Sequence, residues 1–403
     1  MSDCEIYDVI LIGSGPANLF AAMELLKQDS SLSILLLERA RRLNDSRNIA
    51  NGWFGGSARA MTNMFLETNF GGNVADENSI NLFVSRIKEY TNVENLKISK
   101  PKILKKTVKR LESAGIRLDE PTTLSISEDR MIKLGDFLYK SLKDSATVLH
   151  KMTIKGVFKV NDHFEIHTND GTYKGLNVLM GAGRAGAKWL NEINHNLELE
   201  STDSSFDLGI RLEFQTKALQ ELFSKTPYFR FKFGEFKTTV PTIQGNVETV
   251  ELSHVKTSNG RSISSQKNYN ANMGLLKTFQ SKTASKDAYR LVEIVNVISD
   301  QQLMKESVSK FLSGTSSISP IPEYQSLIPG VRELARHFPM LAQKGSFYAP
   351  EARLNTVKYK LTKDMETEMN GLYIVGDMSG HTKSFVQAAC SGINAARHIQ
   401  GKR

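Results

Sequence analysis

Residues 7–38 read YDVILIGSGPANLFAAMELLKQDSSLSILLLE, which spells strand, glycine turn, helix and second strand in order. Residues 9–12 are an apolar run long enough for a buried strand and too short for a membrane span. Gly13 can take the tight turn that follows, and Gly15, with no Cβ, lets the backbone come close to a pyrophosphate. Pro16 suits the first helical position, Ala17 follows, and Leu19, Ala22, Met23 and Leu26 recur at helical spacing. Phosphates would sit on the N-terminus of that helix. Residues 33–37 make the second strand. Glu38 stands 20 residues after Asn18, where an acidic side chain accepts hydrogen bonds from ribose hydroxyls and disfavours a 2′-phosphate. Asn18 occupies the place of the third glycine, which would let helix and strand pack closely, so the packing there must differ. A plain strand-to-helix turn would need no acid at position 38. The stretch therefore has the outline of a dinucleotide site.

Beyond Arg39 a polar connection leads to Gly52-Trp53-Phe54-Gly55-Gly56-Ser57 and then to Gly71-Gly72. Such glycine density lets main-chain N–H groups approach a flat ring or a phosphate, and Trp53 and Phe54 are too apolar for a loop left in water. Residues 79–116 look helical, and 131–142 form a further helix. Residues 151–160, 164–167 and 172–174 alternate like a small antiparallel meander that begins near Ile154 and turns at Asn169-Asp170-Gly171. Residues 176–180 are another buried strand, ending in Gly181-Ala182-Gly183-Arg184-Ala185-Gly186. This second glycine motif lacks a following strand with an acidic end. It is read as rejoining the first sheet and passing near the same nucleotide rather than opening a second dinucleotide domain.

From residue 206 to 341 the pattern changes to long alternating strands, and a second domain begins. Residues 256–286 read as loops over a pocket, and 300–312 as a helix. Near the C-terminus, residues 371–377, GLYIVGD, form a buried strand ending in Gly376-Asp377, and a helix runs over 385–399. Asp377 could accept hydrogen bonds from a sugar-alcohol chain, and the helix N-terminus could face a developing anion. The fold class expected is α/β, a Rossmann-like dinucleotide domain built from 1–200 and 346–403, with a β-rich substrate domain over 201–345.

The 403 residues are 40% hydrophobic, with no apolar run of membrane-spanning length and an N-terminus carrying Asp3 and Glu5, so a soluble cytoplasmic protein is expected. Cys4 and Cys390 are the only cysteines, which removes dithiol chemistry. The net charge of +9 is uneven: residues 1–96 carry −4, 97–186 carry +7, and 187–345 and 346–403 carry +3 each. Lys97, Lys100, Lys102, Lys105, Lys106, Lys109 and Arg110 hold much of the excess, on a helix whose buried stripe would be Leu104, Val108 and Leu111. This is a solvated face or a docking patch for an anionic partner. No aromatic residues able to stack on bases accompany it.

The stretches IGSGPANLFAAMELL with LLLE, VLMGAGR at 178–184 and GLYIVGDMSG at 371–380 resemble the two-domain FAD-dependent oxidoreductases of glutathione-reductase-like fold. More narrowly, WFGGSARAM and the VQAA helix after GD are similar to poorly characterised FAD-dependent dehydrogenases. By position, the resemblance implies that Gly13, Gly15 and Asn18, with Pro16 and Ala17, line the pyrophosphate, and Glu38 with Arg39 the adenosine ribose. Ile154 would offer backbone contacts to adenine. Gly55, Gly56 and Ser57 would approach the flavin, with Gly181, Gly183 and Gly376 close by. Asp377 would hold the ribityl chain, and Thr382 to Phe385 would face the flavin's pyrimidine edge. The activity implied is hydride transfer between bound FAD and a small organic substrate, with no metal and with NADH or NADPH as a possible transient donor. His381 is the acid/base candidate because an imidazole titrates near neutrality, with His254, Tyr269 and Lys383 in reserve. A flavin monooxygenase, an RNA-modifying or otherwise nucleic-acid-binding flavoprotein, and a protein holding FAD as a structural or sensory ligand are the alternatives.

Overall fold

The computed structural model describes residues 6–40, 53–55, 62–100, 105–226, 228–252, 254–261, 269–354 and 357–402. The chain divides into two units, one of Met1–Ser99, Thr122–Thr202 and Val357–Arg403, the other of Lys100–Pro121 and Asp203–Thr356. No helix among the described residues is long and apolar enough to cross a membrane.

In the first unit, β1 (Ile6–Ile12), helix α1 (Pro16–Gln28) and β2 (Ile34–Glu38) form the expected opening element. A parallel sheet runs Thr147–His150, β2, β1, Thr172–Met180, with Leu372–Ile374 beside the end of the last strand. Register levels the strand ends: Ile12 is opposite Leu37 and Met180, and Met180 is opposite Ile374. Alternation along β1 sorts its side chains into two cores. Val9 and Leu11 pack with α1, helix α2 (Glu77–Thr91), Glu128–Ser145 and the C-terminal helix Phe385–Gly401. Ile10 and Ile12 pack on the other face with Val157, Phe164 and Ile166 of the antiparallel meander. Helices, parallel sheet and meander make three layers, a Rossmann-like α/β unit. The second glycine motif does rejoin the first sheet, as its strand pairs in parallel with β1.

The second unit is built on a sheet ordered Met304–Ser307, Ser346–Arg353, Ser205–Gln215, Asn270–Gln280, Phe236–Thr238, Arg230–Phe233, Arg117–Asp119. Leu208, Ile210, Leu212 and Phe214 face a core shared with helices Ala284–Ile298 and Ile328–His337. Asp207, Gly209 and Arg211 alternate onto the opposite face.

Several sequence expectations need correction. Residues 100–121 and 346–356 belong with the second unit, because Arg117–Asp119 pairs with Arg230–Phe233 and Ser346–Arg353 with Ser205–Gln215. The stretch 79–116 is not one helix: α2 ends at Thr91 and is capped by Asn92, left-handed at φ 50°, and a strand at Lys97–Ser99 precedes the helix Lys105–Ser113. Of the basic cluster, Lys97 is therefore on a strand, while Lys105, Lys106 and Lys109 are exposed on the helix. Arg110 pairs with Glu221, Leu111 is buried, and Lys102 and Leu104 lie outside the described residues. Residues 300–312 hold a turn, with Asp300 at φ 50° and Gln301 at φ 60°, then the strand Met304–Ser307 and only a short helix, Val308–Leu312. The supposed loop region 256–286 contains Asn270–Gln280, an 11-residue central strand whose Met273, Leu275 and Leu276 are buried.

Candidate functional site

The site grows from the turn between β1 and α1. Gly13 has φ +96°, and a Cβ there would stand 2.9 Å from the Gly181 carbonyl oxygen and 3.0 Å from Ala182 Cα. Only glycine takes that conformation at that spacing without strain. Gly15 is the N-cap of α1, Pro16 is its first residue, and no side chain caps it. The N-cap residue itself therefore supplies no side-chain acceptor to the first-turn N–H groups, where the positive end of the helix dipole lies.

Glu38, buried at the end of β2, reaches back to this turn. Its Oε2 accepts from Ser14 N at 2.8 Å and Ser14 Oγ at 2.7 Å, and its Oε1 accepts from Ala40 N at 2.7 Å. Three donors fix the carboxylate and leave it acceptor capacity for a sugar hydroxyl. Arg39 is exposed beside it. Met152 N donates to Glu38 O at 2.9 Å, which brings the start of the meander to the same end of the sheet. Ile154, expected to present its backbone to adenine, has its carbonyl taken by Trp189 Nε1 at 3.1 Å.

Asn18 is fully buried and explains the missing third glycine. Its Nδ2 donates to Ile12 O and Gly13 O, each at 2.8 Å, so the side chain stitches α1 to the end of β1. The room for it comes from Gly181, where a Cβ would lie 2.7 Å from Asn18 Oδ1 and 2.8 Å from its Cγ. Asn18 Oδ1 has no hydrogen-bond partner among the described residues.

The third turn meets the first two. Gly376, φ +67°, would place a Cβ 3.2 Å from Ala17 Cβ, and Gly376 N donates to Ser391 Oγ at 2.8 Å. Gly183, φ +63°, opens the helix Gly183–Ile193, and a Cβ on Gly186 of that helix would stand 3.4 Å from Met378 Sδ. Asp377 accepts from Thr382 Oγ1 at 2.9 Å and lies 3.8 Å from Arg184 Nε, so its charge is partly offset. Thr382 is buried and bridges in antiparallel fashion to Gly72. The loop after β2 returns here too: a Cβ on Gly55 would stand 3.1 Å from Pro16 Cδ. Gly56 and Ser57 lie outside the described residues. Phe385 is buried among aromatic rings, edge-on to Phe54 at 5.7 Å and Phe20 at 6.1 Å, so its side chain belongs to the helical core.

His381 donates from Nε2 to Tyr359 O at 2.7 Å, since a carbonyl only accepts, and its N–H donates to Ser379 Oγ at 3.1 Å. That bond fixes the neutral tautomer with the proton on Nε2 and leaves Nδ1 as the basic nitrogen. Lys383 is exposed, with its N–H on Gly71 O at 2.6 Å. In the second unit, His254 is exposed and stacks on Tyr289 at 5.7 Å, and Tyr269 is 88% exposed.

Gln387 belongs to no motif that would single it out. Fully buried, it accepts at Oε1 from Val74 N and Ala75 N, both at 2.9 Å, and donates from Nε2 to Glu67 O at 3.2 Å and Thr68 O at 3.0 Å. One side chain thus clasps residues 67–75 to the C-terminal helix. A lone Gln in the apolar run FVQAAC was the only signal. Replacing Gln387 by Leu orphans two backbone donors and should cost about 2 kcal/mol, read as a lower midpoint in urea unfolding. An unchanged midpoint would remove the clasp from the account.

No family model matches the sequence, and no curated protein matches it. Among solved structures, the chain is similar to glycine oxidase from Geobacillus kaustophilus, at 11% identity over 98% of this chain and 95% of that one, with TM-score 0.43. It is similar to L-proline dehydrogenase from P. horikoshii at 14% identity, 99% and 95% coverage and TM-score 0.47. NikD, an unusual amino acid oxidase essential for nikkomycin biosynthesis, aligns at 11% identity, 97% and 94% coverage and TM-score 0.44. Scores this low do not assign the chain to any of them.

Proposed function

We propose that the chain is a flavoprotein that binds FAD across its three glycine turns and acts as an oxidoreductase on a small organic substrate. The observation that supports this is the meeting of residues 13–15, 181–183 and 376–377 at the level C-terminal ends of neighbouring parallel strands. Open α/β sheets take their ligands at that edge. The residues suit a dinucleotide. The uncapped N-terminus of α1 offers N–H donors and a dipole to a pyrophosphate, and glycines line the approach. Glu38 is held where ribose hydroxyls would meet it, and Asp377 where a polyhydroxyl chain would pass, with Arg184 offsetting its charge beside a diphosphate. When bound, the flavin supplies hydride chemistry that no side chain here can. In this reading Nδ1 of His381 takes up the proton released in the reaction, the ring being oriented by its Nε2–H bond to Tyr359 O.

The purified protein is expected to bind FAD and show the flavin absorption bands, and these should bleach in anaerobic titration with its reductant, NADH and NADPH being the first to try. His381→Ala should retain the bands and lose turnover. A protein that binds no flavin overturns the proposal, and full turnover in His381→Ala removes that histidine from the proton step.

A further inference from the structure

The histidine at the end of the outermost parallel strand stands apart from the three glycine turns. Both ring nitrogens of His150 are buried, and neither has a hydrogen-bond partner among the described residues. A neutral imidazole carries one donor and one acceptor, and leaving both unmet inside a protein is costly. Natural structures rarely keep such a group without a reason.

Its surroundings suggest the reason. His150 closes the strand Thr147–His150 and is in register with Glu38 across the parallel pairing. Residues in register on neighbouring strands point to the same face, about 5 Å apart. Glu38 turns its carboxylate on that face toward Ser14 and the glycine turn. His150 therefore stands one strand farther from the phosphate-binding turn than Glu38 does, on the side where a nucleoside carried by the Glu38-bound ribose would extend. Two aromatic rings flank it: Trp53 at 6.2 Å between ring centroids and Tyr139 at 6.0 Å, with Trp53 edge-on to Tyr139 at 4.8 Å. The Trp53 indole N–H is already committed to Gly135 O at 3.0 Å, so it cannot satisfy the imidazole.

We infer that His150 is a binding residue for the adenosine part of the cofactor, supplying a donor and an acceptor to the ribose hydroxyls or the adenine edge, with its ring seated against Trp53 and Tyr139. The inference rests on the dinucleotide reading of the site. It adds to that reading a residue that no fingerprint position specifies. Contact with the ligand requires the ring to turn its nitrogens toward the strand end.

The test is equilibrium binding of three probes, FAD, ADP and FMN, to the unsubstituted protein, His150→Phe and His150→Gln. Loss of a hydrogen-bonding pair should weaken FAD and ADP about 10-fold in His150→Phe. FMN, which lacks adenosine, should bind the variant as it binds the parent. His150→Gln, with its own donor and acceptor, should recover most of the affinity. Equal FAD and ADP affinities in parent and His150→Phe overturn the inference and make His150 a packing residue. Failure of the parent to bind FAD and ADP overturns the dinucleotide reading itself. Should His150→Phe not fold, His150→Leu takes its place in the same comparison, with thermal melts of each variant establishing the fold.

Discussion

Replacing Glu351 by Leu should destabilise the second unit by about 4 kcal/mol, because it strands a buried guanidinium. Arg211 and Glu351 are each 2% exposed at their side chains. Arg211 donates from Nε to Oε2 at 2.9 Å and from Nη2 to Oε1 at 2.7 Å, a two-point fork. Ser258 Oγ donates to Oε2 at 2.6 Å, and Arg211 Nη1 donates to Asn272 Oδ1 at 2.9 Å. Glycines make the room: a Cβ on Gly274 would stand 2.9 Å from Glu351 Oε1, and one on Gly260 2.6 Å from Arg211 Nη1. Removing both charges together, as Arg211→Met with Glu351→Leu, should restore much of the loss, because neither ion is then left unpaired. Denaturant unfolding of the two single variants and the double variant measures this, and a Glu351→Leu protein as stable as the parent would sink it. The pair also sets a pH dependence. Burial works to raise the Glu351 pKa, but the Arg211 and Arg353 charges and the bonds from Arg211 and Ser258 hold it below the usual carboxylate value. A carboxylate whose folded pKa is depressed stabilises the fold above its unfolded value and loses that contribution as pH falls through the folded one. The pair's contribution should therefore be complete at neutral pH and fade only in acid.

Gly392→Val is expected to cost about 3 kcal/mol, near the top of the range for overpacking. The C-terminal helix lies so close to α1 that a Cβ on Gly392 would stand 1.8 Å from Ala17 O and 2.6 Å from Ala17 C. Both atoms are backbone, so a helix must move rather than a rotamer. Since Ala17 also abuts Gly376, the shift would open the junction of the first and third glycine turns. A fall in melting temperature of roughly 10 °C should follow, and, if the chain holds FAD as proposed, weaker FAD binding with it. Gly401→Ala is the control, as nothing lies within 4 Å of a Cβ there. If Gly392→Val melts with the control, the two helices do not need that contact.

The glycine turns and their strands were legible because an apolar run closed by glycine depends on local order alone. So was the return of the strand after the meander to the first sheet. The strand Asn270–Gln280 was not, because Asn272, Gly274 and Thr278 break the apolar pattern. Those residues serve the buried polar face: Asn272 holds Arg211, and Thr278 Oγ1 donates to Asp207 Oδ1 at 2.7 Å. Polar residues whose partners lie far along the chain look like loop until the partners are in place. The false helix at 300–312 has a different cause. Asp300 and Gln301 take left-handed backbone conformations that sequence rarely signals outside glycine and asparagine. At the site, sequence located the turns but not Gln387 or His150, whose significance lies in what surrounds them.

The exchange of space between Asn18 and Gly181 couples two positions far apart in the chain. Restoring glycine at 18 would leave a gap against the strand, while any side chain at 181 would collide with the amide now filling it. Among homologues of this chain, these two sites should therefore change together or not at all. A pattern that demands glycine at the sixth place of the fingerprint would pass over such proteins, although the close approach that glycine normally guards is met here by an amide.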